Sequence, residues 1–199
     1  MTQHPPALPA EPSRSQAQGA GSFAATGMLD LPQDAPQATD EAREQLFERL
    51  KKTPVAMVVT TDRGGGVRIR PLTTQQAQKP GILWFFIAVD GGVADDVGAQ
   101  PEVILTYAEP GDNAYVALAG RASVVVDPAK AKELWSPIAG AWFNQGPDDP
   151  RLALLRVELD RGEAWESTEG KVLEFLRMAK AAVTRTPPDH SHDHFVFSF

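Results

Sequence analysis

Val55-Ala56-Met57-Val58-Val59-Thr60-Thr61, then Asp62-Arg63-Gly64-Gly65-Gly66, then Val67-Arg68-Ile69-Arg70 is the stretch that decides the fold. The first run is apolar and rich in β-branched residues, so it reads as a strand. The glycine-rich segment reads as a turn. The return run sets Val67 and Ile69 on one face against Arg68 and Arg70 on the other, the period-two alternation of a half-exposed strand. Together they make a β-hairpin. Gly64-Gly65-Gly66 lacks the strand-to-helix setting and the spacing of a nucleotide-binding loop, so the turn accounts for it fully.

Working outward, the same signals recur. Lys79-Pro80-Gly81 turns the chain into a third strand, Ile82 to Val89, whose unbroken apolar character predicts burial on both faces. A short helix from about Ala94 to Ala99 stops before Pro101, and a fourth strand runs from Val103 to Tyr107. Pro110-Gly111-Asp112-Asn113 turns into a long fifth strand, Ala114 to Val126. Asp127-Pro128 opens a helix to about Trp135, and the Gly146 to Pro150 loop leads to the last strand, Leu152 to Asp160. Upstream, Asp40 is expected to cap a helix carrying Leu46, Phe47 and Leu50 at helical spacing, which Thr53-Pro54 stops. A final helix is expected from Val172 to Val183, with Val172, Leu173, Leu176 and Ala179 on one face. Six strands joined mostly by tight turns, with helices at the edges, predict a mainly β (α+β) antiparallel barrel with helical additions, not alternating parallel units.

Composition bounds the function. With 199 residues, 42% hydrophobic and 23% charged, the chain suits one domain plus tails. Residues 1–38, rich in Pro, Ala, Gln, Ser and Gly, are expected to be a disordered leader; 39–185 form the domain, and 186–199 a His/Phe-rich tail. No apolar run reaches the roughly 20 residues of a membrane helix, and the N-terminus does not read as a secretory signal, so a cytoplasmic location is expected. The absence of cysteine excludes disulfides, iron–sulfur clusters and thiolate zinc sites. Any redox chemistry must therefore come from a bound cofactor. A net charge of -7 disfavours nucleic acid and anionic membranes as partners.

Separated motifs then occur in a familiar order: Arg68-Ile69-Arg70-Pro71-Leu72-Thr73, Leu83-Trp84-Phe85-Phe86, Glu133-Leu134-Trp135-Ser136-Pro137, Ala141-Trp142-Phe143 and Gly146-Pro147-Asp148-Asp149-Pro150. From about Glu41 to Arg185 the chain resembles the general-stress-protein branch of the pyridoxamine 5'-phosphate oxidase-like flavin-binding split barrels. The resemblance implies a six-stranded antiparallel split β-barrel with flanking helices, assembled as a homodimer with one FMN in each of two clefts between subunits. It implies flavin contacts at Arg70, Pro71, Leu72, Thr73 and Thr74 on the second strand and at Trp84, Phe85, Phe86 and Ile87 on the third. Physically, an isoalloxazine ring needs a flat apolar slot with backbone groups at its pyrimidine edge. Its phosphate needs fixed donors and positive charge, which Arg68 or Arg70 supply as a planar fork.

Two departures qualify the expected activity. Where the family carries a phosphate-binding lysine after the third strand, this chain reads Asp90-Gly91-Gly92-Val93-Ala94-Asp95-Asp96, with Val93 in the lysine position. Gly91 and Gly92 precede a helix N-terminus, where bare amides hold an anion, while Asp95 and Asp96 oppose one. After the last strand, where the oxidase has basic and histidine residues for pyridoxamine phosphate, the sequence is the acidic Gly162-Glu163-Ala164-Trp165-Glu166-Ser167-Thr168-Glu169-Gly170. The expectation is thus an FMN-binding protein of the general stress type with flavin-dependent oxidoreductase chemistry, not an authentic pyridoxamine phosphate oxidase. The alternative is a cofactor-free interaction module with a degenerate cleft. Trp165 is a candidate cover for the flavin ring, and no catalytic residue is identifiable.

The remaining constellations are weaker. His190, His192 and His194 alternate in the tail, but a tail cluster without supporting ligands reads as an adventitious site, and no resident metal is expected. Ser191, His192 and Asp193 are adjacent in sequence, which does not make a catalytic triad. Phe195-Val196-Phe197-Ser198-Phe199 alternates like an edge strand or a partner contact. Trp135, Trp142, Phe143 and the apolar face of the last helix exceed what a barrel of this size needs inside, and so point to a homodimer interface.

Overall fold

The computed structural model describes residues 36–137, 139–167 and 192–199. Most of the expected leader, the helix expected at Val172–Val183, and His190 lie outside the described residues. The elements run α1 (Asp40–Lys52), β1 (Val55–Thr61), β2 (Val67–Gln78), β3 (Ile82–Ala88), α2 (Gly92–Ala99), β4 (Glu102–Glu109), β5 (Ala114–Val125), α3 (Pro128–Leu134), β6 (Leu152–Ser167) and β7 (His192–Ser198). Short 3-10 turns at Ala139–Ala141 and Gly146–Asp148 separate α3 from β6. No helix among the described residues is long and apolar enough to cross a membrane.

Strands are hydrogen-bonded in the order β3-β2-β1-β4-β5-β6, and β6 pairs back onto β3, closing a six-stranded antiparallel barrel. Its interior is filled from alternate positions, with Val58, Leu83, Phe85, Leu105, Leu118, Leu155 and Val157 essentially inaccessible. Leu46 and Leu50 of α1 and Val93 and Val97 of α2 join the same core. The cap of α1 is Thr39, whose hydroxyl accepts from the Ala42 amide, while Asp40 opens the first turn where the helix dipole favours an acid.

β3 differs from its expected two-sided burial. Leu83, Phe85 and Ile87 are buried, whereas Trp84, Phe86 and Ala88 on the other face are only half covered. Individual side chains cover that face, not a second sheet: Lys130 and Arg156 lie over the Trp84 ring, and Trp135 and Phe143 pack on Phe86.

β6 also outruns its expected end at Asp160. Gly120 of β5 stands opposite Leu159 and Ala119 opposite Arg161, so Asp160 is the extra residue of a bulge. The bulge shifts the phase of alternation, which made the strand look finished. Before it β6 pairs with β3; after it the same edge pairs with β7, from Arg161 opposite Ser198 to Ser167 opposite His192. Only glycine fits at position 120, because a Cβ there would sit 2.1 Å from the Glu158 carbonyl oxygen. β7 buries Val196 and Phe197, and its outer edge exchanges backbone bonds with Pro36 and Ala38. The alternating tail is therefore an edge strand of this chain.

Candidate functional site

The barrel is split at one place, and the register shows why. β1 pairs with β2 from Val67 to Thr73, but β3 pairs with β2 only from Thr74 to Gln78, across an irregularity at Thr74/Gln76. From Phe86 to Ala88, β3 is paired with β6 alone. The β2 edge at Arg70–Thr73 and the β3 edge at Phe86–Ala88 thus face each other unpaired, and a cavity of about 380 Å³ opens between them. Arg70, Pro71, Leu72, Thr73 and Gln75 form one wall, and Phe86, Ile87 and Ala88 the other. Gly91, Gly92 and Val93 close one end; Ala139, Trp142, Phe143 and Arg151 complete the lining. The volume falls in the range of roughly 300 to 1,000 Å³ typical of small-molecule sites. Unpaired strand edges offer backbone donors and acceptors to a flat ligand, and Phe86, Trp142 and Phe143 offer aromatic surface.

Asp96 organises the β2 wall. Projecting inward from α2 and buried, it takes the Arg68 guanidinium on one oxygen at 3.1 Å and that of Arg70 on the other at 3.0 Å. The hydroxyl of Thr60, also buried, donates to Asp96 at 2.8 Å and accepts from Arg70 at 3.1 Å. Asp96 therefore orients the arginines instead of confronting a ligand. The second amino group of Arg70 lies against Gly92, where an added Cβ would come within 3.0 Å of it. Glycine at position 92 thus allows a guanidinium to rest on the start of α2.

Arg151 was not singled out from the sequence, although its neighbours in the Gly146 to Pro150 loop were. It follows a proline and precedes an apolar strand, so no local pattern marks it. Its Nε and Nη2 reach the two carboxylate oxygens of buried Asp149, at 3.3 and 3.1 Å, and its amide donates to the same group. Hydrogen bonds from Arg151 hold the Asp149 carboxyl below the usual carboxylate range, and Asp149 in turn raises the Arg151 guanidinium.

The other candidates lie elsewhere. Arg68 faces a shallow depression with Asp62, Asp95 and Asp96. Thr74 is buried and shares a 2.8 Å hydrogen bond with Tyr107. Phe85 belongs to the barrel core, and Trp84 sits beneath Lys130 and Arg156. Trp165 stacks on His194 of β7, ring planes within 4° and centroids 5.3 Å apart, and His194 Nε2 lies 2.9 Å from Glu163. Val93, a buried member of the barrel core, also borders the cavity. Among the described residues no group of three or more His, Cys, Asp or Glu is placed to hold a metal. Of the aromatics assigned to an interface, Trp135 and Phe143 pack on Phe86 within the chain, whereas Trp142 is 78% exposed at the cavity.

Comparison with known proteins agrees with this architecture. The family described as Pyridoxamine 5'-phosphate oxidase like matches residues 41–189. The chain is similar to protein bli-3 of Neurospora crassa, with 23% identity over 77% of this chain and 78% of that protein. Among solved structures, it resembles a protein named for general stress protein 26 from Jannaschia sp. CCS1, with 26% identity and a TM-score of 0.65 over 81% of this chain and all of the other. It also resembles the general stress FMN/FAD binding protein of Xanthomonas citri, with 29% identity and a TM-score of 0.59 over 66% of this chain and 93% of that one.

Proposed function

The chain belongs to the Pyridoxamine 5'-phosphate oxidase like family, and from that premise we propose that it binds FMN between the split edges of β2 and β3, as a flavin-dependent redox protein of the general stress type. The observation that carries this reading is the convergence of Arg70, Pro71, Leu72, Thr73, Phe86, Ile87, Gly91 and Gly92 on one cavity. The strand edges suit the polar side of an isoalloxazine ring, the aromatics suit its faces, and Arg70 with the start of α2 at Gly92 suits its phosphate. FMN, when bound, supplies hydride or electron transfer; the protein positions the ring and limits water around it. The 162–170 segment offers no basic side chain for a pyridoxamine phosphate, so that substrate is not part of the proposal.

A second copy of the chain is proposed to complete the cleft. The outer face of β1 and β2 leaves Val55, Met57, Val67 and Ile69 exposed, two of them by 58%. On a two-stranded surface this is an apolar patch of the kind that marks an interface, and a two-fold pairing would bury it in matched copies.

The test is a titration of purified protein with FMN, followed by flavin fluorescence and the visible spectrum. Quenching and a shifted spectrum support the proposal. No binding at ~100 μM FMN rejects it, since the loss of one charged contact weakens a site by about ten- to a hundredfold and does not abolish it. One observation favours the cofactor-free alternative: where the resemblance expects a phosphate-binding lysine, this chain has the uncharged Val93. Colourless protein that stays colourless after reconstitution would support that alternative.

A further inference from the structure

We propose that Arg151 is a specificity-determining residue that makes this cavity select a phosphate-bearing flavin over its unphosphorylated form. The inference rests on the flavin reading and deepens it. A phosphate monoester carries close to two negative charges and is held best by planar, charge-assisted forks. Arg70 presents one fork, and it already shares a hydrogen bond with Thr60 and an ion pair with Asp96. Among the described residues, Arg151 is the other cationic side chain lining the cavity.

The segment after β3 links the two arginines: the Arg151 carbonyl accepts the Val89 amide at 2.8 Å, and Arg70 lies against Gly92 three residues on. Both arginines and Gly92 line the same cavity, so an anion seated at the start of α2 shares that cavity with two cations. Asp149 engages Nε and Nη2 of Arg151 and leaves Nη1 for a ligand. The carboxylate is buried while the guanidinium is about half exposed, so the pair is anchored on its protein side and open on its cavity side. Asp90 also acts on Arg151 through space, which favours its charged form.

The experiment compares FMN with riboflavin, which has the same ring and no phosphate, on the full-length wild type, R151Q and R151K. The expected result is a loss of about tenfold or more in FMN affinity for R151Q, an affinity for riboflavin within about twofold of wild type, and partial recovery of FMN affinity in R151K. Unchanged riboflavin binding also shows that R151Q is folded. Equal losses for both flavins would mean that Arg151 merely supports the cavity wall and would overturn the inference, as would unchanged FMN affinity. Failure of the wild type to bind either flavin overturns the flavin reading first and this inference with it, and it is visible before any variant is made.

Discussion

Arg70 Nη1 lies 3.0 Å from Asp96 Oδ2, and this ion pair bridges β2 to α2 across the end of the barrel next to the split. Asp96 also holds Arg68 and the Thr60 hydroxyl, so one buried carboxylate fixes two guanidinium groups and the start of the site. Replacing it leaves a buried hydroxyl without its acceptor and Arg70 without its counter-charge, while Arg68 keeps its ion pair with Asp62 at 3.1 Å. Asp96→Ala is expected to destabilise the fold by about 2 to 3 kcal/mol, below the full cost of breaking a buried pair because both arginines are partly solvated. Urea unfolding measures it, and a change under about 0.5 kcal/mol would show that the network does not secure α2.

Tyr107 provides a pH signature. Burial drives its phenol pKa well above the ordinary value of 10.0, against a smaller opposing effect of the hydrogen bond with Thr74. With the folded value above the unfolded one, the contribution to stability is fully present below pH ~10 and is lost as the pH rises beyond it. The urea midpoint is expected to fall steadily above pH 10. Tyr107→Phe should flatten that fall while costing about 1 kcal/mol at pH 7 through the unpaired Thr74 hydroxyl. Identical alkaline slopes for the two proteins would assign the loss to other groups.

Two glycines predict opposite outcomes for the same substitution. At Gly120 a methyl group would meet the Glu158 carbonyl at 2.1 Å, at the bulge where β6 passes from β3 to β7. Gly120→Ala should cost more than about 3 kcal/mol or prevent folding, since the obstacle is backbone. Gly98, within α2, has nothing within 4 Å of an added Cβ. Gly98→Ala should stabilise by about 0.5 to 1 kcal/mol through helix propensity. Thermal melts of the two variants side by side decide the matter.

Ile69, 58% exposed on the outer face of β2, tests the proposed dimer. Wild-type protein at micromolar concentration should scatter with a mass near twice 21.5 kDa. Ile69→Lys should shift it to the monomer and weaken FMN binding, because the second copy proposed to complete the cleft is lost. A variant that stays dimeric would move the interface away from the β1–β2 face.

Val93 lines the cavity at the position where the sequence resemblance places a lysine. Val93→Lys should raise FMN affinity about tenfold and leave riboflavin affinity near wild type. Unchanged FMN affinity would show that the phosphate is not seated at this end of the cavity.

Period-two alternation, tight turns and helix stops are local, and they suffice to place the six barrel strands, the three described helices and the antiparallel class, though not the ends of β2 and β6. The β2 wall of the candidate site is legible through the family resemblance, not through periodicity: Arg70-Pro71-Leu72-Thr73 is contiguous, and its motif is recognisable without knowing what lies opposite. What alternation cannot encode is which strand edge stays unpaired. The split arises because β3 leaves β2 at Thr74 and continues on β6, a choice made by pairings far apart in the chain. The same holds for the partner of Arg70, which is 26 residues away on another element, and for Arg151, whose carbonyl meets Val89 across the barrel seam. β6 looked complete at Asp160 because a bulge breaks the alternation, and only the backbone of β5 across from it reveals that the strand goes on to receive the C-terminal edge strand. Local sequence sets the periodicity of each element; the unpaired edges and charge partners that make a site depend on long-range closure, where side-chain volume and backbone hydrogen bonding have to be satisfied together.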